Sequence, residues 1–316
     1  MTEIKINKYL YKYKSLENPN HLYHLNEQTG KIEFADLGLD ALSKGMIWFS
    51  HLDNLNDPYE SQVDFDTSRY FQDLNVYLSS LPQDNVPENV RRFLNIIKSG
   101  NVDDCKKIQL LETVFGKLSL KEELPRIQMR IQSQKQKLGI LSLCEENDNL
   151  LMWAYYAKEH NGYCLEFSSS ENHQMFENLI GNYNMIFPVI YDDKRYEMCD
   201  INPFYSPGGT YDDAVAKQRQ LEITQKVFCH KSKAWMHEKE WRILFDISSF
   251  KLSPYSTGAL LPFPAKLTAV YCGARMSETA IDALKDAVIK GNYGYMPKFK
   301  RAKLKKDVFG LEFEDC

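Results

Sequence analysis

The fold of this chain is constrained most by a stretch of helical periodicity, residues 86–137, that lies between segments patterned as β-strands. Within it, apolar residues recur three or four positions apart, as one face of a helix requires, at Val90, Phe93, Leu94 and Ile97. The segments on either side, 9–13 and 139–144, have the composition and alternation of strands. The sequence therefore predicts a single α+β domain spanning 1–316, in which the helices of 86–137 form an insertion.

Further elements complete this mixed pattern. Strands are predicted at 46–50, 163–167, 185–191 and 267–273. Helices are predicted at 149–160, at 212–228, and from the N-cap Ser277 to Gly291.

Composition and charge argue against several classes of protein. The net charge of −4 does not suit a broad surface for duplex DNA. The seven cysteines are scattered without a C-x-x-C pair, which predicts reduced thiols and no zinc site. No segment approaches about 18 consecutive apolar residues, and the N-terminus lacks the apolar core of a secretion signal. We therefore expect a cytoplasmic protein that does not span a membrane.

The segment 231–245 carries the clearest chemical signal. Glu238 and Glu240 stand one residue apart where a polar loop turns into an apolar run. Alternate residues of a strand share a face, so the two carboxylates would lie side by side and repel each other. Such an arrangement suits a site for a cation, a metal or a sugar hydroxyl. The alternative is a solvated strand edge with Lys239 and Arg242 as counter-charges.

Two other residues on predicted strands suggest a binding site. Lys12 lies between two tyrosines, and on the inner face of a strand its ammonium would need a phosphate or a carboxylate such as Glu238. Otherwise, Lys12 is an edge-strand lysine that prevents aggregation. Ser142 alternates away from its apolar neighbours, which predicts a hydrogen-bonding role. No G-x-S-x-G context supports a nucleophile there.

Two polar or aromatic segments have structural and functional interpretations. In 56–60, Asp57 before a proline is typical of an Asx-turn, although Asp57 and Glu60 could instead orient a loop around a ligand. In 151–160, most aromatic residues are expected in the core, and Tyr155 or Tyr156 could stack on a planar ring.

These motifs together resemble a bacterial family filed under a domain of unknown function. The resemblance rests on L-Y-K-Y at 10–13, N-D-P-Y-E at 56–60, I-L-S-L at 140–143, L-M-W-A-Y-Y at 151–156 and E-K-E-W-R at 238–242. The family label carries no activity.

The order of these parts is also similar to that of ADP-ribosyltransferases. The resemblance implies a mixed, twisted, split β-sheet core with flanking helices. It places Lys12 or Tyr11 on the first strand, Ser142 on a second strand, and Glu238 and Glu240 at the start of a later strand. The chain departs from that pattern because 10–13 contains no His or Arg, and lysine is not equivalent to arginine.

The resemblance implies NAD as a substrate. Glu240 would bind the ribose 2′-hydroxyl and stabilise the oxocarbenium character that develops when the glycosidic bond breaks. Glu238 would orient or deprotonate the acceptor. Trp48 or a tyrosine such as Tyr155 would stack on nicotinamide, and no metal is needed. The expected acceptor is a protein or a single-stranded nucleic acid, and the expected role is that of a toxin or antiviral effector with a neutralising antitoxin as partner.

Two other functions stay open from the sequence. In a metal-dependent nuclease or hydrolase, Glu238, Glu240, Asp57 or Glu60 would hold a divalent ion and Lys233 would lie near a phosphate. In a non-catalytic ligand-binding or interaction module, the motifs would be scaffolding.

Overall fold

The structure is a computed structural model. It describes residues 7–18, 20–65, 87–98, 102–103, 106–107, 109–110, 113, 120–168, 186–198, 213–248 and 257–316. The chain divides into two compact units. The first comprises Met1–Asn56, Lys137–Tyr191 and Lys233–Cys316, and the second comprises Asp57–Gln136 and Asp192–Ser232.

The first unit is built on a sheet with helices against it. Its described strands are β1 (Tyr9–Lys14), β2 (Tyr23–Asn26), β3 (Lys31–Phe34), β4 (Met46–His51), β6 (Leu138–Cys144), β7 (Tyr163–Ser168), β8 (Ile186–Pro188), β12 (Glu240–Asp246), β13 (Gly258–Pro262), β14 (Lys266–Cys272), β15 (Lys298–Leu304) and β16 (Leu311–Asp315). Its described helices are α1 (Leu37–Leu42), α4 (Leu150–Tyr156), α6 (Glu278–Gly291) and the 3₁₀ helices η1 (Leu52–Asn54) and η2 (Lys233–Glu238).

The second unit contains helices and short strands. Its described helices are α2 (Glu88–Lys98), α3 (Leu120–Lys137) and α5 (Asp213–Phe228), with α3 ending at the border of the first unit. Strand β5 (Val63–Phe65) pairs in parallel with β10 (Tyr196–Met198). Strand β11 (His230–Ser232) also belongs to this unit, whereas the short strand β9 (Ile190–Asp192) begins in the first unit and ends at the border. Helices α2 and α3 lie where helical periodicity was predicted, and most of the predicted helix near 108–115 falls outside the described residues.

The main sheet is mixed, which confirms the predicted α+β class. Ten strands belong to it in the described part of the chain, in the order β13-β4-β6-β1-β7-β14-β15-β16, with β12 paired to β6 and β8 paired to β12. Strands β14 and β15 are parallel, and the other described pairs of this sheet are antiparallel.

The sheet divides at β6. Strand β12 pairs along one whole edge of β6, from Glu240 opposite Cys144 to Asp246 opposite Leu138. Strands β1 and β4 therefore share the opposite edge, where β1 pairs only at Cys144 and β4 pairs at Ile140 and Gly139 in the described register. The parts of β1 after Tyr11 and of β4 before Ser50 do not pair with β6 in the described register. We call the gap between these two parts the fork.

Both faces of this sheet carry apolar packing. On one face, Leu10, Leu141, Leu143 and Ile243 join the core against α1 and α6. Helix α6 has the predicted N-cap, because the Ser277 hydroxyl accepts the Ala280 N–H. On the other face, Tyr13, Cys144 and Cys164 pack against Trp153 of α4. Burial on both faces fixes the strand register, since a one-residue slip would turn every side chain over.

The helix predicted at 149–160 is shorter in the structure. It ends at Tyr156, and Lys158, Glu159 and His160 adopt left-handed φ values of 47°, 55° and 68°. Successive left-handed residues cannot continue a right-handed helix. This turn leads into Gly162 and β7.

None of the described helices is long and apolar enough to cross a membrane.

Candidate functional site

Strands β1, β6 and β12 lie side by side and bring together three residues that the ADP-ribosyltransferase resemblance selected. Lys12 Nζ donates a hydrogen bond to the Ser142 carbonyl oxygen at 2.9 Å. That carbonyl faces the fork, where no described strand pairs with it. The lysine therefore satisfies a backbone acceptor that would otherwise lack a partner. The contact uses the Ser142 backbone, whereas the sequence had suggested its side chain.

Lys12 also lies within electrostatic reach of both glutamates of the E-x-E motif. Burial, assisted by the nearby Lys14, lowers the pKa of Lys12 to about 8, while Glu240 and Glu238 act in the opposite direction. The desolvation of the ammonium outweighs the attraction of two carboxylates. Lys12, Glu238 and Glu240 therefore form one polar cluster, together with Ser142.

This pKa predicts a stability change at alkaline pH. Unfolding returns Lys12 to its ordinary pKa of 10.5, so between pH 8 and 10.5 the unfolded chain binds the proton and the folded chain releases it. The free energy of unfolding should therefore rise with pH across this window, by on the order of 3 kcal/mol, and this stabilisation is absent below pH 8. The measurement is urea unfolding of wild type and Lys12→Met at pH 7.5, 9 and 10.5. An identical pH dependence of the two proteins would contradict the prediction.

Glu240 is the first residue of β12 and is held by a cation on the same strand face. Its carboxylate accepts Arg242 Nε at 2.9 Å and Arg242 Nη2 at 3.1 Å. Both side chains are buried, with residue exposures of 6% for Glu240 and 1% for Arg242. The Glu240 backbone N–H donates to the Tyr191 hydroxyl at 2.8 Å. A two-point guanidinium contact fixes the orientation of the carboxylate.

Glu238 does not share a strand with Glu240, contrary to the sequence expectation. It ends η2, and the intervening Lys239 has a left-handed φ of 43° that turns the chain into β12. Strand alternation therefore does not relate the two carboxylates. Both are nonetheless buried, and both influence Lys12.

The hydroxyl partner of Glu238 is Tyr156 of α4. Tyr156 donates a short hydrogen bond to the Glu238 carboxylate and accepts one from Asn56 Nδ2 at 2.9 Å. Burial, followed by Glu238, raises the pKa of Tyr156 well above its ordinary value. Tyr155, which the sequence favoured, is 67% exposed and packs edge-on near His237. The structure thus places Tyr156 in the polar cluster and leaves Tyr155 at the surface.

Tyr11 interacts with a different buried carboxylate, that of Glu166 on β7. Tyr271 and Thr268 both donate to Glu166 at 2.7 Å. Burial, and then Glu166, raises the pKa of Tyr11. Glu166 was not among the predicted site residues, although a glutamate within the otherwise apolar run 163–167 was a usable signal.

The fork contains a cavity of about 410 Å³. Its described lining includes Lys14 from β1, Asp36 before α1, Trp48 from β4 and Tyr163 from β7. Trp48, the predicted stacking residue, is 37% exposed and lies on the cavity wall. Among the described lining residues there is neither Glu238 nor Glu240. The predicted site residues therefore divide between a buried polar cluster and a cavity in the fork.

In the second unit, the motif residues have structural partners. The Asp57 carboxylate accepts the Tyr59 N–H at 2.9 Å, which forms the predicted Asx-turn. Glu60 and Lys231 form a buried ion pair at 3.9 Å. The described residues include no group of three or more His, Cys, Asp or Glu that could hold a metal ion, so the metal-dependent alternative gains no support from their geometry.

One comparison with known proteins matches part of the chain. A family model described as Protein of unknown function (DUF2971) matches residues 152–243. The match runs from α4 to the middle of β12, so it includes Tyr156, Glu238 and Glu240. It supports the resemblance to a family of unknown function and leaves the activity undefined. No curated protein and no solved structure is significantly similar to the chain.

Proposed function

We propose that the chain is an ADP-ribosyltransferase-like enzyme that takes NAD as substrate and transfers ADP-ribose to a macromolecular acceptor. The observation that carries the proposal is the adjacency of β1, β6 and β12. This adjacency gathers Lys12, Ser142, Glu238 and Glu240 from distant parts of the sequence. The sequence order of these residues and their spatial grouping support this proposal.

The cluster suits the breaking of a glycosidic bond. Loss of nicotinamide from NAD develops positive charge on the ribose, as in glycoside hydrolysis. A carboxylate that is already ionised and oriented stabilises such a charge without reorganising. Arg242 orients Glu240 in this way, because it contacts both oxygens of the carboxylate. In this role, Glu240 would also accept a hydrogen bond from the ribose 2′-hydroxyl.

Glu238 and Lys12 have separate roles in the proposed reaction. Glu238 takes the proton of the attacking acceptor group, and its hydrogen bond from Tyr156 fixes the carboxylate for that transfer. The ammonium of Lys12 binds a phosphate of NAD as a point charge. The acceptor is a protein or a single-stranded nucleic acid. Modification of a cellular macromolecule would make the protein a toxin or an antiviral effector, which an antitoxin could neutralise.

The decisive measurement is the transfer of labelled ADP-ribose from NAD, together with nicotinamide release. We expect Glu238→Gln to slow transfer by about 100-fold or more, because general-base catalysis is typically worth 10² to 10⁴. Glutamine keeps the shape of the side chain and can still accept from Tyr156, so the fold should persist. Glu312→Gln, on β16, is the matched control and should transfer like wild type.

Two outcomes would remove the proposal. The first is a wild-type protein that neither binds NAD nor consumes it with protein and single-stranded nucleic acid acceptors. The second is a Glu238→Gln variant that transfers at the wild-type rate while remaining folded.

A further inference from the structure

We infer that the cavity in the fork binds a neutral, planar ring that carries a carbonyl or carboxamide group, the class that includes nucleobases and aromatic amides. The cavity volume of about 410 Å³ lies within the range of small-molecule sites, roughly 300–1,000 Å³. This inference concerns the cavity alone and does not depend on NAD turnover by the polar cluster.

The hydroxyl group of Tyr163 is a buried donor at the cavity wall. Tyr163 lines the cavity and is 0% exposed, and its hydroxyl has no hydrogen-bond partner among the described residues. A buried hydroxyl left unpaired costs about 1–3 kcal/mol. A ligand that accepts a hydrogen bond from this hydroxyl would remove that cost.

Lys14 provides a second donor at the cavity wall. Its side chain lines the same cavity, and no described side chain or carbonyl forms a hydrogen bond or ion pair with its ammonium. Burial lowers the pKa of Lys14, with Asp36 and Glu17 acting in the opposite direction. Lys14 Cε and Tyr163 Oη lie 3.8 Å and 2.7 Å from the place that a Cβ on Gly38 would occupy. Two donors without partners therefore approach the same part of the wall.

The close approach at Gly38 shows how the site is formed. Any larger residue would place its Cβ 2.7 Å from the Tyr163 hydroxyl oxygen, so glycine leaves room for that hydroxyl at this part of the wall. Asp36 stands beside it, but its oxygens already accept the N–H groups of Gly38, Leu39 and Glu17. These backbone N–H groups are therefore already used. A hydrogen-bond acceptor on the ligand would be recognised by Tyr163 and Lys14.

The charge of the lining selects a neutral ligand. Among the described lining residues, one lysine, Lys14, stands with three carboxylates, Glu17, Asp36 and Asp40. Asp40 is paired with Lys44 at 2.6 Å, which leaves two carboxylates beside a single ammonium. An anionic ligand would gain from Lys14 and lose to both carboxylates. A carbonyl or carboxamide accepts the same hydrogen bonds without that repulsion.

The apolar walls of the cavity favour a ligand with a planar ring. Trp48 supplies an indole ring on the β4 side of the cavity, and aromatic rings stack with an offset on such a surface. The rest of the wall includes the aliphatic side chains Leu42, Ile47, Leu165 and Leu260. A planar ring between Trp48 and these aliphatic groups, with its carbonyl toward Tyr163, satisfies both parts of the lining.

Calorimetric titration of the full chain with two probes of the same shape tests the inference. We expect indole-3-carboxamide to bind and indole-3-carboxylate to bind at least about tenfold more weakly, because only the carboxylate is repelled. In Tyr163→Phe, the affinity for the carboxamide should fall by about tenfold or more, with no loss of stability, because the deleted hydroxyl has no partner in the ligand-free protein. Tyr23→Phe, which removes an exposed hydroxyl outside the cavity, should bind like wild type.

Three results would overturn the inference: no binding of indole-3-carboxamide, equal binding to wild type and Tyr163→Phe, or stronger binding of the carboxylate. Nicotinamide release measured on the same samples separates the two proposals. Binding without NAD turnover would support the cavity site and remove the enzymatic proposal. NAD turnover without carboxamide binding would do the reverse.

Discussion

Replacing Arg242 with methionine should lower the free energy of unfolding by about 3–5 kcal/mol, because it leaves the Glu240 carboxylate buried without its cation. Arg242 is 1% exposed and contacts both oxygens of Glu240. Methionine fills much of the space of the arginine stem, so the loss reflects mainly the uncompensated charge. Urea unfolding followed by circular dichroism measures the change.

The double variant Glu240→Met with Arg242→Met tests whether the loss comes from the unpaired charge. A buried ion pair replaced by apolar residues of similar volume is often neutral for stability. The double variant should therefore be more stable than the sum of the two single changes predicts, with a coupling of at least about 2 kcal/mol.

An exposed pair provides the control for Arg242. Lys303 and Glu314 lie on β15 and β16 with side-chain exposures of 52% and 51%, and exposed pairs contribute roughly 0–1 kcal/mol. Lys303→Met should therefore change stability by no more than that. If Arg242→Met costs as little as Lys303→Met, the ion pair does not hold Glu240 in place, and the proposed role of Glu240 loses its physical basis.

The polar cluster shows what residue patterns could and could not predict. The strand patterns of 9–13 and 139–144, and the apolar run within 231–245, indicated the strands that carry Lys12, Ser142 and Glu240. Periodicity within each segment contains no information on which strand pairs with which. The order β1-β6-β12 was not predicted, because it depends on contacts more than 90 residues apart.

Two differences from the sequence expectations near the cluster have local physical causes. Strand alternation was extended back to Glu238, but Lys239 takes a left-handed conformation that a non-glycine residue rarely adopts. Tyr155 was favoured over Tyr156, but neighbouring residues on a helix point about 100° apart. A seven-residue helix is too short for its apolar pattern to fix which of the two faces inward.

The fork cavity was outside the reach of sequence patterns, apart from Trp48. Its donors come from β1 and β7, and its wall is completed by α1 and β4. Tyr163 and Lys14 each look ordinary in their own strands. Their significance arises only because Gly38 allows both to approach one wall.

The same end of β1 leads to a second large expected effect, at Gly162. A Cβ on Gly162 would lie 2.2 Å from the Lys14 carbonyl oxygen and 3.0 Å from both Cα and the carbonyl oxygen of Ala157. These are backbone atoms, so no side-chain rotation can relieve the overlap. Gly162 is also tied by its N–H to the Ala157 carbonyl at 2.8 Å and by its carbonyl to the Gly273 N–H at 2.9 Å. We expect Gly162→Ala to lower the free energy of unfolding by about 3 kcal/mol.

Gly30→Ala separates this steric effect from the general cost of replacing glycine. Gly30 has a left-handed φ of 66°, and no atom lies within 4 Å of the position that its Cβ would take. Its replacement should cost only about 1 kcal/mol, from backbone conformation alone. Because Gly162→Ala must displace the end of β1 that carries Lys14, it should also weaken the binding of indole-3-carboxamide, whereas Gly30→Ala should not. Equal losses of stability in the two variants would show that the β1 backbone can move away from a Cβ at position 162. This result would contradict a rigid position of Lys14 in the fork.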